Sequence, residues 1–252
     1  VCHHVNDNKT CYFRAPSASG EAPENTLAAF KLGLAQGCDA FELDVHLSKD
    51  GQIVVIHDGT IDRTTDGLGA VNEMTVEELK AFDAGSWFGE KYRGERIPLL
   101  EEVFDITPGH IIINIEIKGS YNGQLEPALI DLLKKRDRLD TVVISSFDWK
   151  SLRYIKELEP GIKIGLLYHL RMDHHEKLPE AVGKDVYSLH PNFTTLEPED
   201  IRRVQAAGLL VYAWTINTDE RMKQALENGV DGIITDYPGK LLALMEGTGT
   251  RA

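Results

Sequence analysis

Apolar runs rich in β-branched residues recur along the chain at 11–15, 40–45, 111–118, 141–146, 163–168, 186–190, 209–215 and 232–236. Between most of them, apolar residues fall at helical spacing, at 26–36, 125–135, 150–158, 198–207 and 219–228. Buried strands that alternate with amphipathic helices predict a parallel sheet. Eight such units over 252 residues predict a single α/β domain, 1–252, folded as a TIM-type (β/α)8 barrel. Two segments depart from the alternation. Ser48-Lys-Asp-Gly51 is a hairpin turn signal followed by a short apolar run at 52–56. A strand so close to its predecessor cannot be its parallel neighbour, so it is read as the return arm of a hairpin above the second strand. Residues from about 59 to 108 then form an insertion at the barrel mouth. Within it 75–82 is helical, with Thr75 as N-cap and Glu78 at the third helical position.

Polar residues interrupt these strands at particular places. They are Glu42 and Asp44 in Phe41-Glu-Leu-Asp-Val-His46, His57 in Ile56-His-Asp58, and Glu116 and Lys118 in Ile113-Asn-Ile-Glu-Ile-Lys118. Strand side chains alternate between faces, so Glu42 shares a face with Asp44, and Glu116 shares one with Lys118. Carboxylates on the inward face of an apolar strand are costly unless something binds them. The hairpin arm would carry His57 back over Glu42 and Asp44. Three carboxylates, a histidine and a lysine therefore read as an oxygen-ligand metal site with an acid/base group beside it.

Blander readings exist for each residue. Glu42 and Asp44 could be a solvated edge-strand pair, Glu116 and Lys118 a structural ion pair, and His57 a hydrogen-bonded rim residue. The central position of the strand and the aim of the hairpin favour the site. His46 continues the Glu42/Asp44 face but is placed past the strand end and left unassigned. His190 ends a strand within reach of the pocket. His3, His4, His110, His174 and His175 are expected in solvent, as are the acids at 101–102 and 197–200. Trp214 ends a strand at the catalytic face and is read as a substrate-binding wall of the pocket. Phe147 and Asn217 are similarly placed.

Composition narrows the function classes. The formal charge of -13 argues against nonspecific nucleic-acid or anionic-membrane binding. A bound cation would still allow an anionic small substrate. No run of 18 apolar residues is present, so neither a transmembrane helix nor stable membrane insertion is expected. Residues 1–10 contain no apolar stretch of the signal-peptide kind, and Cys2, Cys11 and Cys38 show no paired spacing. A cytoplasmic location is expected. A homodimer is compatible with the insertion's surface.

The ordered motifs carry a resemblance. They are Ser19-Gly-Glu-Ala-Pro-Glu-Asn-Thr26, Phe41-Glu-Leu-Asp-Val45, Lys49-Asp-Gly51, Val55-Ile-His-Asp58 and Asp62-Arg-Thr-Thr65. Asp83-Ala-Gly-Ser-Trp87, Ile97-Pro-Leu99, Ile115-Glu-Ile-Lys118, Trp214-Thr-Ile-Asn217 and Gly232-Ile-Ile-Thr-Asp236 complete the series. The chain resembles the glycerophosphodiester phosphodiesterases, which share a barrel with bacterial phosphatidylinositol-specific phospholipase C. The resemblance implies hydrolysis of a small-molecule glycerophosphodiester to sn-glycerol 3-phosphate and an alcohol. It implies a divalent cation, Mg2+ or Ca2+, on Glu42, Asp44 and Glu116. It also implies His57 as one of two catalytic histidines, and Lys118 as a substrate-binding contact to phosphate. Attack would come from water or, by way of a cyclic phosphate, from the glycerol 2-hydroxyl.

One motif departs from the family pattern. His-Arg-Gly is expected at 15–17, where this chain has Ala15, Pro16 and Ser17. A one-base shift with a second, compensating slip near Ser17 would explain it. Cys11-Tyr-Phe-Arg-Ala-Pro16 can be encoded so that the next frame reads Val-Ile-Phe-Ala-His-Arg in register. The alternative is a glycerophosphodiester-binding barrel that has lost the first catalytic histidine.

Overall fold

In the computed structural model the described residues are 18–247. Their strands are β1 (Ala40–Leu47), β2 (Ile53–Val55), β3 (Ile112–Ile117), β4 (Val142–Ser146), β5 (Lys163–Tyr168), β6 (Ser188–Pro191), β7 (Leu210–Ala213) and β8 (Gly232–Ile233). The helices are α1 (Leu27–Ala35), α2 (Val76–Leu79), α3 (Leu100–Ile106), α4 (Leu125–Lys135), α5 (Trp149–Leu158), α6 (Leu178–Val182), α7 (Pro198–Ala206), α8 (Asp219–Asn228) and α9 (Pro238–Gly247). Sheet order is β2-β1-β3-β4-β5-β6-β7-β8. All neighbours from β1 through β8 pair in parallel, and β2 alone is antiparallel, on β1. Seven sequential parallel strands, β1 and β3 to β8, with helices between them give the curled sheet of a TIM-type barrel. The strand expected at 11–15 lies outside the described residues.

Local chemistry sets the helix starts. The Thr26 side chain accepts from Ala29 N–H and opens α1. Asp148 accepts from Lys150 and Ser151 and opens α5, and Thr218 does the same for α8. Thr75 and Glu78 form the expected capping box, although the helix they open is only four residues long. At the other end of α8, Gly229 takes φ +74°, a left-handed C-cap that glycine adopts without a Cβ clash.

The strands separate two cores. Leu43, Val45, Ile113, Ile115, Ile144, Ile164, Leu166 and Val211 point outward and pack under the helices. Ala40, Val143, Tyr212 and Ile234 fill the lumen. Alternation therefore puts Glu42, Asp44, Asn114 and Glu116 on the lumen side. Registers Glu42↔Asn114 and Asp44↔Glu116 set them side by side. The hairpin forms as read: Val45 pairs with Val55, and Ile56 N–H donates to the Asp44 carbonyl. Beyond it a second hydrophobic cluster gathers Val54, Ile56, Ile61, Val71, Leu79, Ala84 and Ile97. No described helix is long and apolar enough to cross a membrane.

Three expectations about polar residues fail here. β1 runs on to Leu47, so His46 lies within the strand and is buried. His175 is fully buried, with Nδ1 2.8 Å from the Tyr168 hydroxyl and Nε2 3.8 Å from Asp200. Asp200 is also buried, accepting from the Glu197 backbone N–H at the start of α7. In each case packing of a neighbouring element covers a polar side chain.

Candidate active site

A cavity of about 540 Å3 opens at the C-terminal ends of the strands. Its acidic side is built by β1 and β3. One carboxylate oxygen each from Glu42, Asp44 and Glu116 lies within 4.8 Å of the others, and all three residues are buried. Burial, then repulsion from Asp44 and Glu116, raises the Glu42 carboxyl well above its ordinary value. Burial and Asp44 push Glu116 up to about 7. Lys118 Nζ donates to Glu116 Oε1 at 2.8 Å and stands 3.5 Å from Asp44 Oδ1. Burial works against its charge, but Asp44 and Glu116 more than offset that and hold its pKa above the usual lysine value. When all are ionised, three carboxylates face one ammonium, leaving two negative charges uncompensated. Hard oxygen donors with that excess fit a divalent cation.

His57 follows β2 and half of its side chain is exposed to the cavity. Its Nδ1 is 2.6 Å from Asp58 Oδ1. A carboxylate there assigns the ring proton to Nδ1, so the Nε2 lone pair faces Lys118 Nζ, 3.4 Å away. Asp58 is held in turn by Arg63, whose Nε donates to Oδ2 at 2.7 Å. Arg63 also pairs in a fork with Glu24, at 2.8 and 2.6 Å. The hydrogen bond from Arg63 and then that from His57 hold Asp58 down to about 2. It stays an acceptor throughout the physiological range.

The opposite wall is apolar. Trp214 Nε1 donates to the His190 carbonyl at 2.7 Å, which fixes the indole. Phe147 packs edge-on against it, with centroids 5.7 Å apart and rings at 84°. His190 itself lies fully buried beneath, its Nε2 2.8 Å from Ser188 Oγ and its pKa lowered by burial to about 3. It is a lumen residue and does not line the cavity.

The structure thus brings together Glu42, Asp44, Glu116, His57, Lys118 and Trp214 around one cavity. Sequence reasoning missed several residues that hold them. Asn25 takes a left-handed φ of 53° and donates to Asp44 Oδ2 at 2.9 Å. Asp236 lines the cavity and accepts from Ser19 Oγ and Asn217 Nδ2, each at 2.6 Å. Asp58 and Arg63 were missed as well, and of the two only Asp58 had a signal that could have found it. A carboxylate directly after a candidate catalytic histidine is a signal for an orienting partner.

Fold and site define a TIM-type barrel with an acid-lined cavity and an oriented histidine at its catalytic face. The chain belongs to the Glycerophosphoryl diester phosphodiesterase family, whose model matches residues 17–240. A glycerophosphodiester phosphodiesterase of Caldanaerobacter subterraneus is 44% identical over 94% of this chain and 98% of its own. Among solved structures, a phosphodiesterase of Oleispira antarctica in complex with the product sn-glycerol-3-phosphate superposes with a TM-score of 0.87. It is 32% identical over 93% of this chain and 96% of that one. A glycerophosphodiester phosphodiesterase of Thermotoga maritima gives a TM-score of 0.75 at 31% identity, over 97% and 100% of the two chains.

Proposed function

We propose that this chain hydrolyses glycerophosphodiesters to sn-glycerol 3-phosphate and an alcohol with the help of a divalent cation, Mg2+ or Ca2+. The observation that carries the reading is the convergence of an oriented His57 and a charged Lys118 on three buried carboxylates in one cavity. Family membership and the product-bound relative support it.

Glu42, Asp44 and Glu116 would hold the cation. Bound there, it supplies neutralisation of negative charge on the phosphodiester. Lys118, held positive by its carboxylate neighbours, donates to a non-bridging phosphate oxygen. His57 moves the proton: Asp58 keeps Nδ1 protonated, so Nε2 is free to take a proton from the attacking hydroxyl or water. The imidazolium formed is stabilised by Asp58, which Arg63 keeps ionised. Trp214 and Phe147 give the organic part of the substrate an apolar surface and exclude water on that side.

A second acid/base group would stand at position 15 by the family pattern. Ala15 and Pro16 lie outside the described residues. The test is release of glycerol 3-phosphate from glycerophosphocholine and glycerophosphoethanolamine, with Mg2+, with Ca2+ and with EDTA. It is run on this chain and on the Ala15→His/Pro16→Arg variant. Metal-dependent turnover that is much faster in the variant supports both the enzyme reading and the frame shift. No turnover in either chain, with ligand still bound, overturns the enzyme reading in favour of the binding barrel.

A further inference from the structure

His46 stands on β1 two residues beyond Asp44 and is only 5% exposed. A buried imidazole needs a partner for each nitrogen. Its Nε2 lies 3.1 Å from the backbone carbonyl of His57. Its Nδ1 meets the hydroxyl of Tyr121. A carbonyl can only accept, so Nε2 carries the proton and donates. Nδ1 is then a lone pair, and the Tyr121 O–H donates to it. The relay has a single polarity: Tyr121 O–H to His46, His46 to the His57 carbonyl.

It runs from the Tyr121 hydroxyl, through His46 on the strand that carries Asp44, to the peptide that carries His57. Tyr121 comes from the loop just past Lys118, and it and Asn122 hold left-handed φ values of 50° and 58°. Consecutive side-chain-bearing residues in that region are costly and concentrate where geometry matters for function. The Tyr121 ring also packs edge-on against the His46 ring, with centroids 6.0 Å apart. The relay therefore ties together the three segments that supply Asp44, His57 and Lys118.

We infer that His46, oriented by Tyr121, is a positioning residue for His57: it fixes the His57 carbonyl and so the place of its imidazole above the carboxylates. This rests on the proposed phosphodiesterase reading for its kinetic consequence, but not for its geometry.

The test uses His46→Gln, His46→Leu and Tyr121→Phe, each in the chain as written and in the Ala15→His/Pro16→Arg background. Gln keeps an N–H that can reach the carbonyl, whereas Leu has none. Kinetics on glycerophosphoethanolamine are read below the onset of unfolding of each variant. Long-range 1H–15N spectra of histidine-labelled protein are read alongside. His46→Leu is expected to lower kcat about tenfold or more, with KM within about threefold. His46→Gln recovers most of that loss, and Tyr121→Phe falls between. The spectra show His46 as the Nε2–H tautomer, and His57 ring signals that move in the Leu variant and return in the Gln variant. Unchanged kcat in His46→Leu, Gln no better than Leu, or an Nδ1–H tautomer at His46 would each overturn the inference. If neither parent chain turns over the diester, the functional reading has failed instead. The tautomer and the His57 signals then decide the positioning role alone.

Discussion

Replacing Glu116 by Gln should make the metal-free protein more stable at neutral pH while destroying its response to cations. The Glu116 carboxyl rises from its ordinary 4.5 to about 7 because burial and Asp44 disfavour its charge. The folded chain thus binds this proton more tightly than the unfolded chain does. The associated stability is fully present below about pH 4.5 and is lost as pH rises through about 7. At about 1.4 kcal/mol per pH unit, the whole interval corresponds to roughly 3 kcal/mol. Glu42 is raised as well, and one proton shared between the two relieves both. Removing the Glu116 charge should therefore recover about 1–3 kcal/mol at pH 8 and little at pH 5. Gln can still accept from Lys118 Nζ, so the hydrogen bond made by Glu116 at 2.8 Å need not be lost. For a chain of this size, the difference appears as several degrees in Tm, at about 2–4 °C per kcal/mol. The assay is thermal and urea unfolding of both proteins in EDTA at pH 5 and pH 8. It is repeated with excess Mg2+ or Ca2+. A cation at a hundred times its Kd should stabilise the parent by about 2.7 kcal/mol and the variant by far less. A stability difference that does not change between pH 5 and pH 8 would refute the reasoning, as would a variant that responds to cations as the parent does.

His57→Ala should lower kcat by about 100- to 10,000-fold while calorimetry shows divalent-cation binding unchanged, since His57 is not one of the clustered carboxylates. Arg63→Ala removes the two hydrogen bonds that hold Asp58 at 2.7 and 3.1 Å. It should lower kcat by about tenfold, with KM and Tm nearly unchanged, measured in the more active of the two backgrounds. Gly165→Ala would set a methyl group 2.3 Å from His190 Nε2 in a fully buried place. It should cost about 1–3 kcal/mol in urea unfolding. Combining it with His190→Ala should cost less than the two single changes added together.

The strand and helix pattern was legible because each element's local chemistry agrees with its place. Thr26, Asp148 and Thr218 cap where a helix must start. The hydrophobic runs are long where strands are covered on both faces. Glu42, Asp44, Glu116 and Lys118 were legible for the opposite reason. They break an apolar pattern at positions where a charge would be costly without a ligand. His57 was legible only through the hairpin, whose turn signal predicts where the chain comes back.

His46 and His175 were not legible. His46 was placed past the strand end and His175 has polar neighbours in sequence, and what buries both comes from elsewhere. Tyr121 is 75 residues from His46, and Asp200 is on α7, far along the chain from His175. Asn25 and Arg63 stood in motifs that could be recognised, but their roles could not be read from the motifs. Arg63 reaches Glu24 across 39 residues, and nothing in the sequence between them encodes that meeting.

The sequence by itself determined the barrel class, the hairpin and the identity of the acidic cluster. All three follow from periodicity, turn chemistry and the cost of charge in an apolar strand, which are properties of neighbouring residues. Tertiary structure decided which nitrogen of His57 faces the cavity, how high the Glu116 carboxyl is raised, and which peptide His46 holds in place. Those depend on distances between side chains from separate strands and loops, and on how much water the packed sheet excludes from between them.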